Sequence, residues 1–311
     1  MEKIGSSDLE VSRLCLGGNV FGWTADEQTS FEILDAYAAA GGNFVDTADS
    51  YLWRAPGNSG GESETIIGRW MASRGNRDSI VVATKVGSWP KQPGLSRANI
   101  TSAVEGSLRR LQTDRIDLYY AHRDDPDTPQ EETLDAFDAL VRAGKVRAVA
   151  ASNFTAERLR SALEISAREG LTSYVVLQPH YNLLERTEFE TSLAPLLERE
   201  GLACIPYYGL AKGFLTGKYR PDTTVESVRA EGAKEYMDER GLRVLAVLDE
   251  IAAARDVPIA AVALAWLADR PTVASPIASA RTTEQLAGLL PMAELKLTDD
   301  DLRRLTDASA P

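Results

Sequence analysis

Four side chains within the first 122 residues are of types that move protons. They are Asp46 in Asn43-Phe44-Val45-Asp46-Thr47-Ala48, Tyr51 five positions on, Lys85 in Thr84-Lys85-Val86-Gly87, and His122, one of only two histidines in 311 residues. Asp46, Lys85 and His122 lie at or near the ends of runs that are otherwise apolar, where a core residue would be ordinary. A phenol near pKa ~10 is a weak acid at neutral pH, and an adjacent ammonium stabilises its phenolate. Lys85 would supply that charge, and Asp46 would be the counter-ion that keeps a buried lysine protonated and positioned. His122 would orient a carbonyl oxygen by hydrogen bonding. An acid aimed at a carbonyl oxygen is useful only if something attacks the carbon. No serine or cysteine in these segments is an obvious nucleophile, so the expected attacker is a hydride from a bound cofactor, with no metal called for.

Such residues converge only if the chain brings several strand ends together. Short apolar runs at Leu14–Gly18, Asn43–Ala48, Ile80–Val86, Ile116–His122, Val146–Ser152, Tyr174–Gln178, Ala203–Tyr208 and Val273–Ala278 alternate with helical patterns near 28–40, 61–73, 96–111, 129–143, 155–169, 188–200, 241–255 and 283–290. Strands apolar throughout, each followed by an amphipathic helix, suit a parallel sheet covered by helices. Eight such pairs favour a closed (β/α)8 TIM barrel, an α/β fold whose active site forms at the C-terminal strand ends. Gly41-Gly42, Gly144 and Gly201 stand where left-handed C-caps are wanted. Ser59 with Glu62 has capping-box spacing, and Ser96 and Thr155 are plausible N-caps. Residues 1–13 read as a hairpin ahead of the barrel, Pro258–Asp269 as an additional helix, and Lys218–Arg240 as a long charged mobile loop. Without a linker or low-complexity segment, 1–311 is read as a single barrel domain.

Composition narrows the function. Lys and Arg total 34 against 46 Asp and Glu, a formal net charge of −12, which disfavours nucleic acid and anionic membranes as partners. Cys15 and Cys204 sit far apart in apolar runs, as buried free thiols in a reducing compartment would. With no apolar leader and a longest apolar run of half a membrane span, Ile259–Ala268, a cytoplasmic protein is expected.

In order along the chain stand Leu16-Gly17-Gly18, Asp46-Thr47-Ala48-Asp49-Ser50-Tyr51, Thr84-Lys85-Val86-Gly87, His122, Ser152-Asn153-Phe154, Gln178-Pro179-His180-Tyr181-Asn182, Gly213-Phe214-Leu215-Thr216-Gly217-Lys218-Tyr219 and Glu284-Gln285-Leu286. This series resembles the aldo-keto reductase family, in a bacterial branch related to its potassium-channel β-subunit-like members. The resemblance implies NAD(P)H-dependent reduction of an aldehyde or ketone. Tyr51 would be the general acid, Lys85 would lower its pKa, Asp46 would pair with Lys85, and His122 would orient the substrate carbonyl. It further implies Ser152, Asn153 and Gln178 on the nicotinamide carboxamide and Tyr207 stacked on the ring. Backbone at Tyr208–Leu210 with Lys218 would meet the pyrophosphate, and Ser279, Arg281 and Gln285 would lie around the adenosine phosphate. Arg229 would close over the adenosine end. The chain departs from the family at Tyr208-Gly209-Leu210, where Ser-Pro-Leu is usual, at Ser279, and at Gly288-Leu289. Arg281 can still bind a 2′-phosphate by a charge-assisted bond, so NADP(H) is expected over NAD(H).

Trp23, Trp53 and Trp89 follow the first three strands and are read as a substrate-pocket rim, suited to an aromatic or extended carbonyl or a keto-sugar. Trp70 and Trp266 fall in helical patterns and read as packing, and His180 as the weaker of the two histidines. Two other readings keep the same residues. The chain could be a cofactor-binding regulatory subunit with little turnover, or a barrel aldolase or lyase in which Lys85 forms a Schiff base.

Overall fold

The structure is a computed structural model; it describes residues 1–221, 223–226, 228 and 230–310. Glu2–Lys3 (β1) and Glu10–Val11 (β2) pair as the antiparallel hairpin at the N-terminus. Eight parallel strands follow: β3 (Cys15–Gly17), β4 (Phe44–Asp46), β5 (Val81–Val86), β8 (Ile116–Ala121), β9 (Val146–Ser152), β10 (Tyr174–Gln178), β11 (Ala203–Cys204) and β12 (Ile277–Ala278). A small hairpin of β6 (Ser88–Trp89) and β7 (Gln92–Pro93), which the sequence reading did not anticipate, interrupts the loop after β5. Sheet order is β11-β10-β9-β8-β5-β4-β3-β12. A bridge between Cys204 and Val273, with Ala274 N donating to Cys204 O at 2.9 Å, joins the two ends and closes the (β/α)8 barrel.

Helices α1 (Glu27–Ala39), α2 (Glu62–Arg74), α3 (Arg97–Leu111), α4 (Gln130–Arg142), α5 (Ala156–Glu169), α6 (Ala194–Glu200), α7 (Ala230–Lys234), α8 (Glu239–Arg255), α9 (Ile259–Ala268), α10 (Thr283–Ala287) and α11 (Asp299–Ala308) complete the fold. Ser96 and Thr155 cap α3 and α5 through their side chains. At α2 the expected capping box is half realised: Glu62 reaches back to the Ser59 and Gly60 N–H groups, but the cap position is Gly61. The segment read as a charged mobile loop contains α7, whose Ala233 is buried, as is the nearby Tyr236. Helix α11 escaped the sequence reading, although Thr298 and Asp301 form a full capping box ahead of it. No single helix among the described residues is long and apolar enough to cross a membrane. Both cysteines are buried and free.

Strand alternation sorts side chains into two layers. Cys15, Phe44, Val81, Ala83, Leu118, Tyr120, Ala148, Ala150 and Val176 fill the barrel interior, and Ile4, Leu9 and Val11 from the hairpin belong to the same cluster and plug one end. Gly5 turns that hairpin at φ +50°, where a Cβ would stand 2.5 Å from Val175 O. Residues of the other parity, such as Val45, Val82, Val86, Tyr119 and Val149, pack under the helices. Gly68 lets α2 approach α3: a Cβ there would lie 2.3 Å from Arg110 O and 2.7 Å from Leu111 Cα. Gly68→Ala therefore forces two helices apart and is expected to cost about 1–3 kcal/mol despite alanine's better helix propensity, read as a lowered Tm.

Candidate active site

The same period-two rule lifts the functional residues onto one level. Asp46 continues the inward set of Phe44, Lys85 that of Val81 and Ala83, Ser152 that of Ala148 and Ala150, and Gln178 that of Val176, each one layer nearer the C-terminal end. Parallel register aligns them: Lys85 lies opposite Tyr120, and Gln178 opposite Ser152. His122 follows β8 by one residue, its N–H held by Val86 O at 2.9 Å.

Lys85 is wholly buried and places all three ammonium protons. Its Nζ donates to Asp46 Oδ1 at 2.5 Å, Thr47 O at 2.7 Å and Tyr51 Oη at 2.8 Å. Tyr51 Oη donates to Asp46 Oδ1 at 3.1 Å, and Gln178 Nε2 donates to Asp46 Oδ2 at 2.9 Å. A buried ion pair survives only when its remaining hydrogen-bonding capacity is met in this way. His122 stands edge-on to Tyr51, ring centroids 6.1 Å apart, with Nδ1 and Ser50 Oγ 3.4 Å apart.

Burial acts on both proton-bearing groups. It holds the Tyr51 phenol well above its ordinary range, reinforced by the Asp46 carboxylate. That differs from the acidified tyrosine expected beside a lysine: Asp46 neutralises the ammonium, so desolvation of a phenolate dominates. Burial, then the positive charges of Lys85 and Arg123, push the His122 imidazole well below its usual value, keeping it neutral. The arrangement can hold a phenol and a neutral imidazole at one point of a water-poor cleft, and so present two hydrogen-bond donors to an oxygen there.

Tyr51 and His122 sit at one end of a cleft of about 590 Å³. Asp46, Ser152, Asn153, Gln178, Tyr207, Tyr208, Leu210, Lys218, Ser279, Arg281 and Gln285 all line it, as expected, and Lys85 stands behind Asp46 and Tyr51. Arg229 lies outside the described residues. Asn153, in the left-handed region at φ +58°, joins three elements. Its Nδ2 donates to His122 O at 2.8 Å and to Ser152 Oγ at 3.0 Å, and its Oδ1 accepts from Tyr207 Oη at 2.8 Å. One face of the Tyr207 ring is stacked by His180 at 5.3 Å. Asn182 Nδ2 donates to Tyr208 O at 2.9 Å, pinning the loop whose positive-φ residues Tyr208, Ala211, Lys212 and Gly213 line the cleft or adjoin it.

Arg281 and Lys218 also line the cleft and form no ion pair among the described residues. Gln285 Oε1 accepts from the Arg281 N–H at 3.0 Å, and Ser279 Oγ from the same wall donates to Asn19 Oδ1 at 2.5 Å. Asn19, Lys212 and Arg123 line the cleft without having been picked out from the sequence. Asn19 directly follows Leu16-Gly17-Gly18 and Arg123 follows His122, so proximity to those landmarks was the available signal.

The tryptophans divide. Trp23 and Trp53 are 41% and 37% exposed and stand outside the cleft lining, Trp53 under the Arg54 guanidinium. Trp89 is committed to packing: its Nε1 donates to Ser59 O at 3.0 Å and its ring covers Gly60 and faces Arg110. Trp70 and Trp266 are fully buried, as packing residues.

Beside this site Asp49 is buried with neither carboxyl oxygen hydrogen-bonded among the described residues. Burial, and next the charge of Glu64, push its carboxyl from 3.8 up to about 8, with Arg110 acting the other way. A raised carboxyl binds its proton in the folded but not the unfolded chain between those values, so its contribution to stability is full below pH 4 and falls as pH rises to about 8. Asp49→Asn mimics the neutral acid. It is expected to leave Tm near wild type at pH 5 and raise it on the order of 5 °C at pH 9, by scanning calorimetry. Equal shifts at both pH values would show that Asp49 is ionised throughout.

The aldo/keto reductase family model matches residues 13–310. An uncharacterized oxidoreductase, YrpG, of Bacillus subtilis (strain 168) is 36% identical, the alignment covering 98% of this chain and 94% of that one. Norsolorinic acid reductase stcV of Emericella nidulans is 33% identical over 96% of this chain and 78% of its own. A probable voltage-gated potassium channel subunit beta of Oryza sativa subsp. japonica is 34% identical over 92% and 88%. With a buried Asp–Lys pair joined to Tyr51 at the C-terminal end of a closed barrel, and a family match over nearly its whole length, this chain belongs to the aldo/keto reductase family.

Proposed function

We propose that the protein is an NADPH-dependent reductase of an aldehyde or ketone, in which Tyr51 donates the proton to the carbonyl oxygen. The observation that carries this reading is the Lys85 ammonium 2.8 Å from Tyr51 Oη and 2.5 Å from Asp46 Oδ1. The cleft's donor set fits a nicotinamide dinucleotide: amide and hydroxyl groups of Ser152, Asn153 and Gln178 near Tyr51, the Tyr207 ring beside them, and the cations Lys218 and Arg281, which form no ion pair among the described residues. A reduced nicotinamide held there would supply hydride chemistry at the carbonyl carbon. Lys85 stabilises the phenolate left on Tyr51, and Asp46 holds Lys85 in place through the buried ion pair. His122, neutral through burial, hydrogen-bonds the carbonyl oxygen without competing for the proton. Gln178 and Asn153 would hold the carboxamide end, and Tyr207, backed by His180, would take the ring. Ser279, Gln285 and Arg281 take the adenosine phosphate, with Arg281 favouring NADP over NAD. The substrate would be an aromatic or extended carbonyl or a keto-sugar.

Two buried free thiols suit a reducing cytoplasm, and a net charge of −12 supports neither nucleic acid nor an anionic membrane as partner. The similarity to a potassium channel β subunit favours one alternative, a regulatory subunit that binds cofactor with little turnover.

The test is titration with NADPH and NADH by tryptophan quenching, followed by a screen of carbonyls at 340 nm. NADPH binding with turnover is expected; tight binding without turnover on any carbonyl moves the weight to the regulatory reading. Arg281→Ala should weaken NADPH by about 10- to 150-fold while leaving NADH nearly unchanged, since a charge-assisted bond to phosphate contributes ~1.5–3 kcal/mol. Equal weakening of both would remove the basis for NADP preference.

A further inference from the structure

We propose that Arg123 is a specificity-determining residue and that the carbonyl substrate carries an anionic group, a carboxylate, held by its guanidinium. The proposal rests on the reductase reading and adds the substrate's chemical class. Arg123 follows His122 directly and lines the same cleft. It belongs to the run Arg123-Asp124-Asp125, in which both acidic neighbours are committed elsewhere. Asp124 takes a two-point contact from Arg158 at 2.7 and 2.9 Å, and Asp125 accepts from Leu95 N at 2.7 Å and Thr128 Oγ1 at 2.7 Å. Arg123 itself forms no ion pair among the described residues.

Among the described residues its one side-chain hydrogen bond runs from Nε to Ser88 Oγ at 2.9 Å, on the small hairpin after β5. That bond anchors the stem and leaves both Nη groups for a partner. A planar guanidinium fixed at Nε retains the paired N–H groups that match a carboxylate. The charge is felt within the site: it disfavours protonation of His122 and favours ionisation of Tyr207. Asp46, the carboxylate beside Tyr51 in this cleft, is spent on Lys85, Tyr51 and Gln178. A substrate anion would therefore meet one unpaired cation next to the carbonyl-orienting imidazole.

The experiment compares 4-carboxybenzaldehyde with its methyl ester, which keeps the electron-withdrawing group and removes the charge. Wild type is expected to show a kcat/KM ratio of at least about ten in favour of the acid, mostly through KM. Arg123→Met should collapse the ratio toward one, and Arg123→Lys should restore part of it. A wild-type ratio near one, or a ratio that survives in Arg123→Met, overturns the proposal while leaving the reductase intact. If neither aldehyde is reduced, the reductase reading is left to the wider carbonyl screen, and the role of Arg123 is read from benzoate binding by calorimetry. At least about tenfold weaker benzoate binding in the folded Arg123→Met variant supports the anion site; equal affinity in the two proteins overturns it.

Discussion

Tyr51→Phe is expected to lower kcat for carbonyl reduction by about 10²–10⁴-fold, while the NADPH dissociation constant changes by less than about threefold. The substitution removes one oxygen. That oxygen accepts from Lys85 and donates to Asp46, and it is the hydroxyl that burial keeps protonated at the mouth of the site. The ring stays, so its edge-on packing against His122 and the shape of the cleft survive. Lys85 keeps two acceptors, Asp46 Oδ1 and Thr47 O. One buried ammonium proton is left without its acceptor, so the fold should lose about 1–3 kcal/mol. Because the phenol is held protonated, wild-type kcat/KM should not decline between neutrality and about pH 9. A Phe variant that retains kcat within about tenfold of wild type would give the proton to another donor, His122 first.

Lys85→Met is expected to be the most damaging single change in both respects. Activity falls with the loss of the charge that stabilises the Tyr51 phenolate. Stability falls because Asp46, 1% exposed, is left as a buried carboxylate with only Gln178 and Tyr51 beside it. Removing one partner of a buried ion pair costs about 3–5 kcal/mol, mainly through the charge left behind. For a chain of 311 residues that is a Tm decrease of roughly 5–8 °C. Neutralising the orphan should undo most of this: Asp46→Asn added to Lys85→Met is expected to recover more than half of the Tm loss and none of the turnover. Thermal melts of the two variants decide it. If the double variant is less stable than Lys85→Met alone, the pair is held by packing rather than by charge, and its electrostatics have been misjudged.

Much of the fold and candidate site was legible in the chain because both rest on short-range periodicity. Alternation over two residues assigns Phe44 and Asp46, or Ala83 and Lys85, to one face of a strand, and the repeat of strand then helix implies that all C-terminal ends point the same way. Glycines in left-handed caps and the side-chain caps Ser96 and Thr155 mark where helices start and stop for local reasons. The convergence of Asp46, Tyr51, Lys85 and His122 follows from those local rules.

Other features depended on partners distant in the chain. Trp89 looks like a loop aromatic free for a ligand, yet it is claimed by Ser59, Gly60 and Arg110, from segments about 20 to 30 residues away. The Tyr51 phenol looks like an acidified tyrosine beside a lysine, and only the depth of burial with Asp46 at 3.1 Å reverses the direction. Asp49 has no role legible in the chain, and its raised carboxyl follows from burial and from Glu64, brought to it by the fold and opposed by Arg110. Arg123 reads as one charge among three until Arg158, Leu95 and Thr128 have taken up its acidic neighbours. Residue type and spacing thus determine the barrel and the identity of the reacting groups, because backbone geometry repeats over a few residues. Which charges are neutralised, which aromatics are already packed and which proton is held are decided by desolvation and by contacts between remote segments, and those exist only once the barrel has closed.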